Sequence, residues 1–163
     1  MRTYRKFLTA LDTVVSWSIM VAMATLTVVV SVQVFYRYVL NDSILWGWDV
    51  PRLSFIWLVL LSIPLGFRYN AHVGVDIVFE RLSPLTQRYV RRFNAFFIII
   101  LCATTTYYGA ILAYDTWDQM MPGLNLSVGI FYVALVIGMT HTCLHVAEML
   151  ITGEPRDEHL SET

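Results

Sequence analysis

"TVVSWSIMVAMATLTVVVSVQVF", residues 13–35, runs for twenty-three positions without an Asp, Glu, Lys or Arg. A helix needs about 20 apolar residues to cross the hydrocarbon of a bilayer, and it can cross because its backbone polar groups are satisfied internally. The stretch therefore reads as a membrane span, and that reading governs the rest of the chain. Arg2, Arg5 and Lys6 before it, and Ala22-Met23-Ala24 within it, resemble parts of a secretory signal. Because apolarity continues unbroken to Phe35, the expectation is an uncleaved anchor.

Working outward, Phe93–Tyr114 and Leu124–Ile151 are further long apolar runs, with Glu148 their one formal charge. Leu53–Phe67 has only fifteen residues. It becomes long enough if Trp46, Trp48 and Pro51 form its entry, the indole rings lying at headgroup level. The expected fold is all-α: a single membrane domain over 1–163 with four spans near 13–35, 49–68, 93–114 and 124–151, and tails at 1–12 and 152–163. Pro64 frees a backbone carbonyl inside the second span, so a kink near Leu60–Ser62 is expected, with Ser62 helping to satisfy that carbonyl. Composition agrees: 57% of the residues are hydrophobic and 14% charged, against about 25% charged in soluble domains. The net charge of −1 supplies no basic field for nucleic acid. Cys102 and Cys143 lie inside apolar runs without metal spacing and read as small membrane-embedded hydrophobes.

Between the second and third spans stands "RYNAHVGVDIVFERLSPLTQRYVRR", residues 68–92, with five of the eleven Lys/Arg. The N-terminal tail has three, the C-terminal tail one, and Arg37 and Arg52 flank the other side. Nine against two places both termini and this loop in the cytoplasm by the positive-inside rule. Val75, Val78, Phe79 and Leu82 follow helical spacing, with Asp76 and Glu80 opposite, so a short interfacial amphipathic helix is expected there. Ser83-Pro84 reads as an N-cap followed by a first-turn proline. Arg88, Arg91 and Arg92 then mark the headgroup level, where membrane lipid would hold them.

No ionisable residue stands at mid-depth in any expected span; Asp12 sits at one edge, Asp115 and Asp118 at the other. Proteins that move ions unaided keep such a group, so autonomous transport is disfavoured. His141 and His145 stand four apart with Glu148 a turn later, a spacing that metals can use. The expectation is that they pack against protein near the cytoplasmic end of the last span, with lipid or partner contact the alternative. A haem would need histidines on different helices, and His72 and His159 lie in the loop and tail. No cofactor, metal or catalytic residue is assigned. Ser127, Phe131, Ala134, Gly138, His141, His145 and Glu148 recur in steps of four and three, a stripe of mostly small or polar residues. Ala103, Thr106, Ala110 and Ala113 form a second. Both stripes should face protein, within this chain or in a partner.

"RYVLNDSILWGWDVPR", "WLVLLSIPLGFR" and "HVGVDIVFERLSP" together resemble the small permease (Q) subunit of tripartite ATP-independent periplasmic (TRAP) transporters. Arg37-Tyr38, Trp46, Asp49, Arg52, Trp57, Gly66, His72, Asp76 and Pro84 follow that family's order, over roughly residues 12–151. The chain departs from it where Trp48-Asp49 replaces an acidic pair, and at Met121-Pro122, Leu126-Ser127 and Ile130 ahead of the last span. The resemblance implies a multi-pass protein of the bacterial inner membrane that is not an enzyme. It implies symport of organic acids driven by sodium, with a periplasmic substrate-binding protein and a large elevator-type permease (M) subunit as partners, this subunit bracing the fixed scaffold.

Arg37, Trp46, Asp49, Arg52, Trp57, Gly66, His72, Asp76, Ala134, Gly138, His141 and His145 are accordingly the candidate partner or scaffold contacts. Asp49 is expected to pair with Arg37 or Arg52 near the outer interface. His72 and Asp76 would anchor the interfacial helix to the loop or to the large subunit, or cap the helix start. Two other classes compete: a membrane anchor of a redox complex, such as a haem-binding subunit, and a small autonomous transporter. Neighbouring reading frames for a large permease and a secreted binding protein would separate them from the leading reading.

Overall fold

The computed structural model describes residues 2–42, 44–68 and 84–152. It holds α1 (Arg2–Val39), α2 (Trp46–Arg68), α3 (Pro84–Asp115) and α4 (Gly129–Thr152). All four are long and apolar enough to cross a membrane, over Phe7–Val39, Trp46–Phe67, Arg92–Asp115 and Gly129–Glu148. The expected all-helical, four-span plan is what the described residues show. The expected interfacial helix at 75–82, with His72 and Asp76, lies outside the described residues.

The helices run past the apolar runs that announced them. α1 continues through Tyr36-Arg37-Tyr38, since nothing there breaks a helix, and stops before Asn41, whose φ of 51° leaves the right-handed region. At the other extreme, α4 begins only at Gly129. Leu124 to Val128, apolar by composition, belong to a tight turn instead. Met121 N–H donates to the Leu126 carbonyl and Val128 N–H to the Gln119 carbonyl, each at 2.8 Å. Asn125, at φ 49°, supplies the left-handed residue that the turn needs. Ser127 Oγ then accepts from Gly129 N–H at 3.0 Å, capping the helix start.

α4 is the central element. It packs along α2 on one side and α3 on the other, while α1 packs mainly along α2. Of the most apolar stretch of α4, 39% is buried within the chain, against 6% for α1. The reason is the stripe read from the sequence: Ser127, Phe131, Ala134, Gly138, His141, His145 and Glu148 are all buried. Small residues along it let a neighbouring backbone come close. At Gly138 a Cβ would run into the carbonyl oxygen of Leu60.

That carbonyl is the one freed by Pro64, which lies four residues on and has no N–H to offer it. α2 stays helical through Pro64, which is fully buried. The expected partner of the freed carbonyl was Ser62; instead its Oγ donates to the Val59 carbonyl at 2.8 Å. The Gly138 backbone comes close to that oxygen, where a Cα–H group can serve as a weak donor.

α3 meets α4 through Ala95, Cys102 and Gly109, which are buried at seven-residue spacing. A Cβ on Gly109 would press on the Leu135 side chain at 3.2 Å. The stripe expected to face protein is offset from this seam: Ala103 and Ala110 are exposed, and Thr106 and Ala113 half-buried. Within the chain, residues one step away make the contact.

Candidate functional site

Charged and polar side chains gather at the two ends of the bundle. At the end formed by the start of α1 and the finish of α4, Asp12 reaches the histidines of the stripe. Asp12 Oδ1 lies 2.8 Å from His145 Nε2 and 3.0 Å from His141 Nε2. The two Nε2 atoms are 3.1 Å apart. Asp12 is 1% exposed, His141 5% and His145 8%, so these groups exchange water for one another. Leu8, Asp12 and Val15 share one face of α1 and are its buried positions among the described residues.

Helix geometry brings His141 and His145 together, since residues four apart are neighbours on one face. Their rings are 4.8 Å apart between centroids, tilted by 43°. Glu148 is buried a turn further along the same face. His141 Nδ1 has no hydrogen-bond partner among the described residues. Both histidines on one helix with touching nitrogens do not present opposed ligands across a haem plane, which removes the geometric basis for that alternative.

The sequence reading placed Asp12 and the histidine pair each at a membrane edge without joining them. The signal was present: both depths were legible, and Asp12 falls on the helical face marked by Leu8 and Val15. What could not be read was which face of α1 turns toward α4.

At the opposite end, the start of α2 meets the turn before α4. Gly123 N–H donates to Asp49 Oδ2 at 2.7 Å. The expected partner of Asp49 was Arg37 or Arg52; a backbone amide takes that place. Asp49 stands in the first turn of α2, where the helix dipole favours an acid, and its carboxylate accepts strongly from the backbone N–H of the turn. Gly123 fits because it has no side chain: a Cβ would lie 2.6 Å from the Leu45 carbonyl oxygen and 2.8 Å from Trp46 Cα. Arg52 instead lies over the Phe131 ring, 5.1 Å from its centroid, and Arg37 over Tyr38 at 5.9 Å.

The remaining candidates are dispersed. Trp46 is exposed, like Trp48. Trp57 lines an open apolar groove of about 750 Å³ between α1 and α2, with Trp17, Val21, Leu53 and Leu61, and its Nε1 has no partner among the described residues. A Cβ at Gly66 meets nothing within 4 Å. Ala134 and Gly138 lie inside the chain, on the α4 stripe.

Comparison with known proteins gives these features a context. Residues 26–155 match the family described as tripartite ATP-independent periplasmic transporters, DctQ component. The chain is 28% identical to the C4-dicarboxylate TRAP transporter small permease protein DctQ of Vibrio cholerae, over 88% of this chain and 73% of that protein. It is 26% identical to a putative TRAP transporter small permease protein of Haemophilus influenzae, over 80% and 81% of the two chains. With the isethionate TRAP transporter permease protein DctMQ of Oleidesulfovibrio alaskensis it shares 26% identity, over 71% of this chain and 19% of that protein.

Proposed function

The chain belongs to the DctQ-component family of tripartite ATP-independent periplasmic transporters, and from that premise we propose that it is the fixed, non-catalytic brace of a sodium-driven importer of organic acids. It is a TRAP small permease subunit and a multi-pass protein of the inner membrane. In the proposed complex a large permease subunit carries the substrate and sodium sites and moves as an elevator. A periplasmic binding protein delivers the substrate. Both termini and the 68–92 loop face the cytoplasm by the excess of Lys/Arg on that side.

The observation that carries this reading is the distribution of polar groups. Between the Asp12 cluster at one end and the Asp49 contact at the other, the spans hold no Asp, Glu, Lys or Arg from Thr13 to Tyr36, Leu53 to Phe67, Phe93 to Tyr114 or Gly129 to Ala147. Binding an organic anion with a cation at mid-membrane needs charged or coordinating groups there, and this chain does not supply them. It supplies apolar surface. Trp17, Val21, Val28 and Phe35 on α1 are exposed, as are Ala103 and Ala110 on α3. We assign these faces, with the Trp57 groove, to the large subunit and surrounding lipid. The fused DctMQ relative, whose name joins the two permease parts in one chain, supports that partnership.

Reconstitution tests the reading. Proteoliposomes holding this chain with its large subunit and binding protein should take up a labelled organic acid down an imposed sodium gradient. Vesicles with this chain as the sole protein should take up none. Uptake by the chain alone would overturn the reading.

A further inference from the structure

We propose that Asp12, His141 and His145 form a binding site for a borderline divalent metal ion of the Zn²⁺ class, which clasps α1 to α4. This inference concerns binding alone and stands apart from the transport reading.

The first argument is chemical. Three ligand atoms lie in mutual contact at 2.8, 3.0 and 3.1 Å. If both Nε2 atoms carry a proton, both can donate to Asp12 Oδ1, but the two N–H groups then crowd side by side with no bond between the nitrogens 3.1 Å apart. If one lacks its proton, a nitrogen lone pair confronts the carboxylate oxygen or is served only by leaving another pair unserved. With the carboxylate ionised, every protonation pattern of the two imidazoles leaves at least one of the three buried contacts without a hydrogen bond. A cation at the centre makes all three contacts attractive at once.

The second argument is geometric. A metal about 1 Å out of the plane of these atoms would lie about 2.1 Å from each, the distance at which zinc holds imidazole nitrogen and carboxylate oxygen. The ligand atoms need to spread by only about 0.3–0.6 Å to reach the separations of a tetrahedral shell, whose fourth position would fall to a water or another donor. Two imidazoles and one carboxylate suit Zn²⁺ and its neighbours; Mg²⁺ and Ca²⁺ take all-oxygen sites. The Asp12 carboxylate supplies a negative charge directly against a divalent ion.

The site also has a structural consequence. α1 packs mainly along α2, and among the described residues Asp12 reaches α4 at this end of the bundle. A metal there would staple the first helix to the last.

The test uses the full chain in detergent, purified by a tag without histidines, stripped with a chelator and titrated with Co²⁺. The expected result is one equivalent of Co²⁺ bound with the visible spectrum of four-coordinate cobalt, displaced by Zn²⁺. The double variant His141→Asn/His145→Gln, and separately Asp12→Asn, should weaken binding about tenfold or more. Gel filtration and circular dichroism establish that each variant is folded. X-ray absorption on the zinc-loaded wild type, which needs no variant, should read two imidazole nitrogens in the shell. Failure of the wild type to bind Co²⁺ stoichiometrically, or a zinc shell without imidazole, would overturn the proposal.

Discussion

The Leu60 carbonyl oxygen of α2 points at Gly138 of α4, at the place where any other residue would begin its side chain. Pro64 releases that carbonyl and Gly138 receives it, so two residues on different helices form one device. Gly138→Ala gains about 1 kcal/mol of helix propensity but sets a methyl group against backbone that cannot swing aside. The net expectation is destabilisation of about 1–3 kcal/mol, measured by denaturant unfolding in micelles. Pro64→Ala restores a donor for Leu60 within α2. The double variant should therefore lose less than the sum of the singles, and strict additivity would refute the link.

Asp49 and Gly123 tie the turn before α4 to the start of α2. Asp49→Ala removes the acceptor of a charge-assisted bond and should cost about 1.5–3 kcal/mol. Asp49→Asn retains a carbonyl oxygen and should cost less. Gly123→Ala should be as damaging as Asp49→Ala, because its Cβ meets backbone. Protease cutting within residues 119–128 reports the loosened turn; equal resistance in all three variants would count against the contact.

The buried Asp12 cluster makes a sharp comparison of variants. His145→Ala removes a buried 2.8 Å contact to the Asp12 carboxylate, with an expected loss of about 1–3 kcal/mol. Thr13→Ala, one residue along and on an exposed face, removes only a hydroxyl bonded to the Thr9 carbonyl and should change stability by less than about 0.5 kcal/mol. Thermal unfolding of the two proteins side by side checks this contrast.

Gly66 separates contact within the chain from contact with a partner. Since a Cβ there meets nothing within 4 Å, Gly66→Leu should leave the isolated chain folded. If the large subunit packs against this position, the same variant should reduce co-purification of the two proteins several-fold. Unchanged recovery of the complex would remove Gly66 from the interface.

Orientation is open to direct labelling. After Cys102→Ala and Cys143→Ala, a cysteine placed at Asp118 should react with an impermeant reagent from the periplasmic side. One placed at Ser161 should react only after the cytoplasmic face is opened. The reverse pattern would invert the assignment made from Lys and Arg.

The number of spans, the central stripe of α4 and the family were all legible in the chain. Each depends on one-dimensional quantities: the length of an apolar run, a residue period, an ordered set of motifs. The bilayer makes run length decisive, because a backbone segment in lipid must close its own hydrogen bonds. Which faces meet was not legible. α3 uses Ala95, Cys102 and Gly109 in place of the neighbouring alanine stripe, Asp49 finds an amide instead of an arginine, and Asp12 joins two histidines 129 and 133 positions away. Depth along a helix follows from counting residues, whereas the rotation of one helix toward another is set by the packing of all four. Only the folded bundle fixes that rotation, and with it the convergence of three ligand atoms at one buried point.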